Sequence, residues 1–148
     1  MRRSSHWVVA GWLLLAAMQA AQAQTVIDPA PTLAVSEEIT RRMASKEVEA
    51  VLTGVINATK SPAVADALRG PLQGLQGLGN SQYSERVYVR DYGRTTRDII
   101  YKINFDNNIL YVRYFFSVDK GEWRLMHFYF QTENSLPFPK EWIHIYPG

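Results

Sequence analysis

Three turn signals in the second half of the chain place the strongest limit on its fold. They are Asp91-Tyr92-Gly93, Asp106-Asn107-Asn108 and Asp119-Lys120-Gly121, all typical of β-hairpin connections. They separate four runs rich in Tyr, Val, Ile and Phe, at residues 84–90, 95–105, 109–118 and 122–132. Because short connections make neighbouring strands antiparallel, the sequence predicts a four-stranded antiparallel meander.

The segment before the predicted sheet has the apolar spacing of α-helices. Val35, Ile39 and Met43 lie four residues apart, and the helical period continues to residue 59. Ser61-Pro62 is a typical helix start, because serine caps the first turn and proline needs no N–H partner there. Helices that precede a meander must cover one of its faces. We therefore expect an α+β fold, with N-terminal helices packed on one face of an antiparallel meander of four or more strands.

The turns also predict which side chains share a face of the sheet. A two-residue loop at Asn107-Asn108 would pair Phe105 with Leu110, Ile103 with Val112, Tyr101 with Tyr114 and Ile99 with Phe116. Three-residue loops at the other two turns would add Val87, Val89, Met126, Phe128 and Phe130 to this apolar face. We expect it to pack on the helices.

The opposite face is predicted to mix aromatic and basic side chains. It holds Arg86, Tyr88, Arg90, Ile100, Lys102, Asn104, Tyr111, Arg113, Phe115, Trp123, Leu125, His127 and Tyr129. The predicted register places Lys102, Arg113 and His127 in one row across three strands, without a paired acid, and Asn104, Tyr111 and Tyr129 in the next.

This mixed face is the predicted binding site. Tyr, Trp and Arg are enriched at binding hot spots. We therefore expect Lys102, Tyr111, Arg113, His127 and Tyr129 to bind a protein partner or a small anionic ligand. The alternatives are that the C-terminal residues cover this face, or that a second copy of the chain does so in a homodimer.

The N-terminal residues have the pattern of a secretory signal peptide. Met1-Arg2-Arg3 is basic, residues 7–18 are apolar, and Ala21-Gln22-Ala23 is a small-x-small cleavage sequence. The apolar stretch is about 12 residues long, whereas a membrane-spanning helix needs about 20. We expect cleavage between Ala23 and Gln24, and export to the periplasm or the medium. An uncleaved membrane anchor is the alternative.

Composition limits what the processed chain can bind. Removing Arg2 and Arg3 reduces the 16 basic residues to 14, which equals the 14 acidic residues. This balance argues against nucleic acid, whose binding proteins carry a basic excess. The absence of cysteine excludes disulfides, thiol catalysis, cysteine-bound metals and a cysteine-linked lipid anchor. We expect a flexible lead-in over 24–34 and one domain over 35–148.

The last 16 residues are punctuated by proline but remain apolar. Their large apolar residues are Leu136, Phe138, Trp142, Ile143, Ile145 and Tyr146. Because disordered segments are poor in such residues, we expect this segment to dock on the domain. A short extra strand over 142–146 is the simplest form of docking.

The predicted architecture resembles the NTF2-like and cystatin-like superfold. The resemblance covers residues 35–132, and its one motif is Gly121-Glu122-Trp123-Arg124-Leu125. This stretch is similar to the Gly-x-Trp-Lys/Arg-aliphatic opening of a late strand in many exported NTF2-like domains. Those domains include isomerases, dehydratases, ligand carriers and accessory domains, so the resemblance implies a fold and not an activity. NTF2-like domains typically have a longer helical section and more strands, which leaves the cystatin-like form open.

Motifs for catalysis, metals and cofactors are not found in the sequence. General acid–base catalysis between helices and sheet requires an inward acid or histidine, and the predicted inward set has only the hydroxyls of Tyr101 and Tyr114. The acids near the turns, Asp98 among them, are interpreted as turn residues. His127 and His144 are the only histidines after the signal peptide, too few for a predicted metal site.

Three functions remain open from the sequence. The first is a non-enzymatic exported domain that binds through its mixed sheet face. The second is an NTF2-like enzyme or ligand carrier with a pocket between helix and sheet. The third is a structural homodimeric subunit.

Overall fold

The computed structural model describes residues 27–132, in which helices precede an antiparallel sheet. The helices are α1 (Ala30–Ala44), α2 (Val48–Thr59) and α3 (Val64–Gln73), followed by a 3-10 helix, Gly74–Leu78. The strands are β1 (Ser81–Asp91), β2 (Thr96–Phe105), β3 (Ile109–Asp119) and β4 (Glu122–Thr132), paired antiparallel in chain order. The predicted α+β class is confirmed. The predicted signal peptide, its cleavage site and the C-terminal segment lie outside the described residues.

Helix α1 begins at Ala30, five residues before the expected start at Val35. Pro31 lies in the first turn, where its missing N–H leaves no helical hydrogen bond unmade. The Asp28 carboxylate accepts a hydrogen bond of 2.9 Å from the Ala30 N–H. Residues of the expected lead-in are therefore helical from position 30 onward. No helix within residues 27–132 is long and apolar enough to cross a membrane.

The core lies between the helices and one face of the sheet. Its buried side chains include Met43, Val51, Val55, Ile99, Ile103, Val112, Tyr114 and Leu125. Two buried tyrosines bond to α1: the hydroxyls of Tyr101 and Ser36 are 3.3 Å apart, and those of Tyr114 and Thr40 are 2.8 Å apart. The predicted apolar face is thus the face that packs on the helices.

The β2–β3 register differs from the predicted one by two residues. Ile103 pairs with Leu110 and Tyr101 with Val112. The Phe105 N–H donates to the Asn108 carbonyl at 2.9 Å, so the two-residue loop is Asp106-Asn107, one position earlier than predicted. The Asp106 carboxylate in this loop accepts a hydrogen bond of 2.8 Å from the Asn80 N–H. A shift of two residues leaves every side chain on its predicted face, because side chains alternate with a period of two.

The start of β4 faces the other way from the prediction. The β3–β4 connection has a tighter register, in which Asp119 pairs with Glu122, and a bulge follows before His127. Leu125 is therefore in the core rather than outside, and Met126 is exposed rather than buried. The Trp123 indole N–H reaches the Asp28 carbonyl at 3.0 Å. Beyond the bulge the prediction holds, because the extra residue restores the alternation.

A second bulge, in β1, reverses two further predictions. It lies between Arg86 and Tyr88. Arg86 faces the helices, where its guanidinium is 3.0 Å from the Glu37 carboxylate of α1. Val87 packs instead against Tyr88 and Ile100 on the far side of the sheet. Val89 keeps its predicted side but remains 40% exposed.

Candidate binding surface on the outer face of the sheet

The face of the sheet away from the helices, here called the outer face, includes three rows of residues that are paired across all four strands. The register gives the rows Arg90–Asp98–Phe115–His127, Tyr88–Ile100–Arg113–Tyr129 and Glu85–Lys102–Tyr111–Gln131. All five predicted binding residues lie on this face. Lys102, Arg113 and His127 occupy three different rows rather than one, because the register shifts moved the strands past each other.

An ion pair lies at the middle of the outer face. Arg113 on β3 and Asp98 on β2 form two parallel hydrogen bonds, Nε to Oδ1 at 2.9 Å and Nη2 to Oδ2 at 2.7 Å. The Asp98 side chain is fully buried, and that of Arg113 is 25% exposed. The prediction that Arg113 lacks a paired acid is therefore wrong. The bidentate contact holds the guanidinium in one orientation.

The second cation of the face is also paired. Lys102 Nζ lies 3.5 Å from the carboxylate of Glu85 on the neighbouring strand β1. The same ammonium group is 6.0 Å from the centre of the Tyr83 ring. On the described part of the outer face, Glu85 and Asp98 therefore balance Lys102 and Arg113, and a further cation, Arg90, lies 4.9 Å from the centre of the Tyr92 ring. The capacity of this face for binding is mainly aromatic and hydrogen-bonding.

Aromatic rings surround this ion pair. The ring of His127 is 5.7 Å from that of Phe115 and stacks at 6.1 Å on that of Tyr129. Tyr129 is 52% exposed. In the row that contains Lys102, the Tyr111 ring packs against a small cluster that includes Ile100. The face thus combines the exposed rings of Tyr83, His127 and Tyr129 with the partly buried rings of Tyr111 and Phe115, all on strands rather than loops.

Sequence reasoning missed Asp98 and Glu85 as parts of this surface. Its place near a turn favours the interpretation of Asp98 as a turn residue, although it lies within the run 95–105. The alternation that places Ile100 and Lys102 outward places Asp98 outward as well, so the signal was present. Glu85 pairs with Lys102 through the β1–β2 register, which depends on the bulge at residue 87 and is not visible in the sequence.

The interior offers no comparable site within the described residues. The hydroxyls of Tyr101 and Tyr114 are bonded to α1, and burial raises the pKa of both. Arg97 is buried and paired with Asp91 at 2.6 Å, and this guanidinium lowers the pKa of Asp91. No three potential metal-binding side chains converge among residues 27–132.

An open cavity of about 830 Å³ lies between α1, α2 and the start of β4. Its apolar lining includes Ile27, Pro31, Val35, Ile39, Ala58 and Trp123. Charged residues also line it, among them Lys60 and Glu122. This cavity also has room for a ligand.

Comparisons with protein-family models, with curated proteins and with solved structures found no match.

Proposed function

We propose that this chain is an exported, non-enzymatic binding domain that uses the outer face to bind a protein partner. The observation that carries the proposal is the exposed aromatic surface built around the buried Arg113–Asp98 pair. The proposed fold family remains the NTF2-like or cystatin-like one, in which accessory domains of secreted proteins occur.

Rigidity supports this proposal. The rings of Phe115, His127 and Tyr129 stand on β3 and β4, whose backbones are held by the sheet. Binding costs less when side chains are already ordered, because less conformational entropy is lost on association. The bidentate contact likewise holds Arg113 in place before any partner arrives.

The charges of the outer face favour a protein partner over a small anion. An anion would have to compete with Asp98 for Arg113 and with Glu85 for Lys102. A protein surface needs no such exchange, because tyrosine and histidine rings contribute contact area and hydrogen bonds together. We therefore place the aromatic residues, with Tyr129 first, at the centre of the binding site.

The test is capture of partners by residues 24–148, followed by affinity measurement with each captured protein. We expect Tyr129→Ala to weaken binding at least tenfold. The matched control is Met126→Ala, because Met126 lies on the same strand and is exposed to the same fraction, 52%. Equal affinities of the two folded variants would refute the outer face as the binding site.

A second candidate function is ligand carriage in the cavity beside Trp123. Its volume of about 830 Å³ and mostly apolar lining are within the range of small-molecule sites. In a Trp142→Phe variant of residues 24–148, Trp123 would be the sole tryptophan. Titration with 1-anilinonaphthalene-8-sulfonate should then shift the emission of Trp123. A Val35→Glu change in the cavity lining should abolish the shift.

A further inference from the structure

The two edges of the sheet differ in how well they are protected against pairing. The edge strand β1 carries Glu85, Arg86, Arg90 and Asp91, and it is interrupted by a bulge. Charges and bulges are the features that keep natural edge strands from pairing with another strand. The β1 edge is therefore unsuited to accept a further strand.

The β4 edge lacks these features over its second half. Its bulge comes before His127, and residues 127–132 continue in regular register with β3. No Asp, Glu, Lys or Arg occurs between residues 126 and 132. Among the described residues β4 pairs with β3 alone, so every second backbone N–H and C=O group of this half points away from the sheet.

The core is also incomplete along β4. Phe128 and Phe130 pack against the core but remain partly exposed, whereas their partners Tyr114 and Val112 on β3 are fully buried. The Phe128 and Tyr114 rings are 5.4 Å apart. An apolar element beside β4 would bury the open sides of both phenylalanine rings.

The chain itself contains such an element. Sixteen residues follow Thr132, and positions 142–146 read Trp-Ile-His-Ile-Tyr. In a strand, the two isoleucines point to one face, and Trp142, His144 and Tyr146 point to the other. Residues 133–141 form a connection of nine residues, which spans up to about 30 Å and is long enough to reverse the chain.

We propose that residues 142–146 pair antiparallel with β4 as a fifth strand. In this arrangement Ile143 and Ile145 lie beside Phe128 and Phe130 and close the core. Trp142, His144 and Tyr146 lie beside His127 and Tyr129 and extend the outer face. The pairing does not depend on the partner-binding proposal, because it concerns the chain alone.

The test is amide hydrogen exchange, followed by NMR, on residues 24–148. We expect every second amide of 127–131 that points away from β3 to exchange at least 100-fold more slowly than an unstructured amide. Ile143→Pro and His144→Pro remove neighbouring N–H groups that point in opposite directions. One of these two N–H groups must point towards β4 in the proposed strand. In at least one variant, the protected amides of residues 127–131 should therefore exchange as fast as unstructured amides.

The matched control is Ser135→Pro, which adds a proline to the connection and leaves the proposed strand intact. It should retain the protection. Three outcomes would overturn the proposal: unprotected amides in the unaltered chain, protection that survives both proline variants, or protection that disappears on dilution. The last result would assign the edge to a second copy of the chain.

Discussion

At the scale of single residues, the outer face depends on a carboxylate that water does not reach. Asp98 is fully buried, although it lies on the side of the sheet that the helices leave open. The neighbouring side chains exclude water from it, and the guanidinium of Arg113 is the charge that pairs with it within residues 27–132. A buried charge without a partner is costly, so these two residues must be considered together.

Removal of Arg113 should therefore cost more than removal of an exposed arginine. We expect Arg113→Ala to lower the free energy of unfolding by about 3 kcal/mol, because it leaves the Asp98 carboxylate buried and unpaired. The measurement is urea unfolding at neutral pH. The control is Arg69→Ala, whose partner Glu49 is exposed, and we expect a loss below about 1 kcal/mol. Equal losses in the free energy of unfolding would show that the burial of Asp98 does not add to the cost of removing its partner.

The buried hydroxyl of Tyr114 predicts how the stability of the protein changes at alkaline pH. Burial raises its pKa above the ordinary tyrosine value, so the folded protein keeps a proton that the unfolded chain releases above about pH 10. Its contribution to stability is complete below that pH. Above it, the free energy of unfolding should fall by up to about 1.4 kcal/mol per pH unit.

Urea unfolding between pH 9 and 11.5 measures this effect. In Tyr114→Phe the decline should be shallower, although the loss of the bond to Thr40 should lower stability at neutral pH by about 1 kcal/mol. Tyr129→Phe is the control, because it removes a tyrosine hydroxyl from the half-exposed outer face and leaves the buried Tyr114 in place. A Tyr114→Phe slope as steep as that of the unaltered chain would contradict the assignment.

At the scale of elements, the approach of α1 to α2 depends on a glycine. A Cβ atom at Gly54 of α2 would lie 2.9 Å from Cγ1 of Ile39 on α1, closer than such atoms approach in folded proteins. Ile39 and Gly54 also line the cavity beside Trp123. The spacing of these two helices thus determines both the core packing and the width of that cavity.

We expect Gly54→Ala to destabilise the protein by about 1 kcal/mol. The overpacking against Ile39 lowers the free energy of unfolding by about 1–3 kcal/mol. The better helix propensity of alanine raises it by up to about 1 kcal/mol. The measurement is the midpoint of thermal unfolding. Gly74→Ala is the matched control, because no atom lies within 4 Å of its added Cβ, and it should be neutral or slightly stabilising.

At the scale of the whole molecule, the proposed export makes a prediction about processing. Expressed in a Gram-negative host, the protein should be recovered from the periplasmic extract with Gln24 as its first residue. N-terminal sequencing or intact mass measures this directly. Ala23→Arg should block cleavage, because the site requires a small residue, whereas Ala23→Ser should not. Recovery of a chain that starts at Met1 from the cytoplasm would contradict export.

The alternation of side chains within each strand was accessible from the sequence, and so were the α+β class and the order of elements. In β2 and β3 the apolar residues from Ile99 to Phe116 recur with a period of two, and turn residues mark the ends of the strands. These signals are local, so they need no knowledge of distant contacts. The β2–β3 register differed by two residues, and the faces survived because the period is two.

Only the tertiary structure decided the positions of the bulges and the partners of the charged residues. The bulge in β4 places Leu125 in the core and brings Trp123 to the Asp28 carbonyl, and no turn sequence encodes that contact with the residues before α1. The pairing of Arg113 with Asp98 likewise joins two strands whose relative position is determined by packing. The sequence by itself thus determined the strands and their alternation, whereas packing against the helices decided how each strand is aligned with its neighbours.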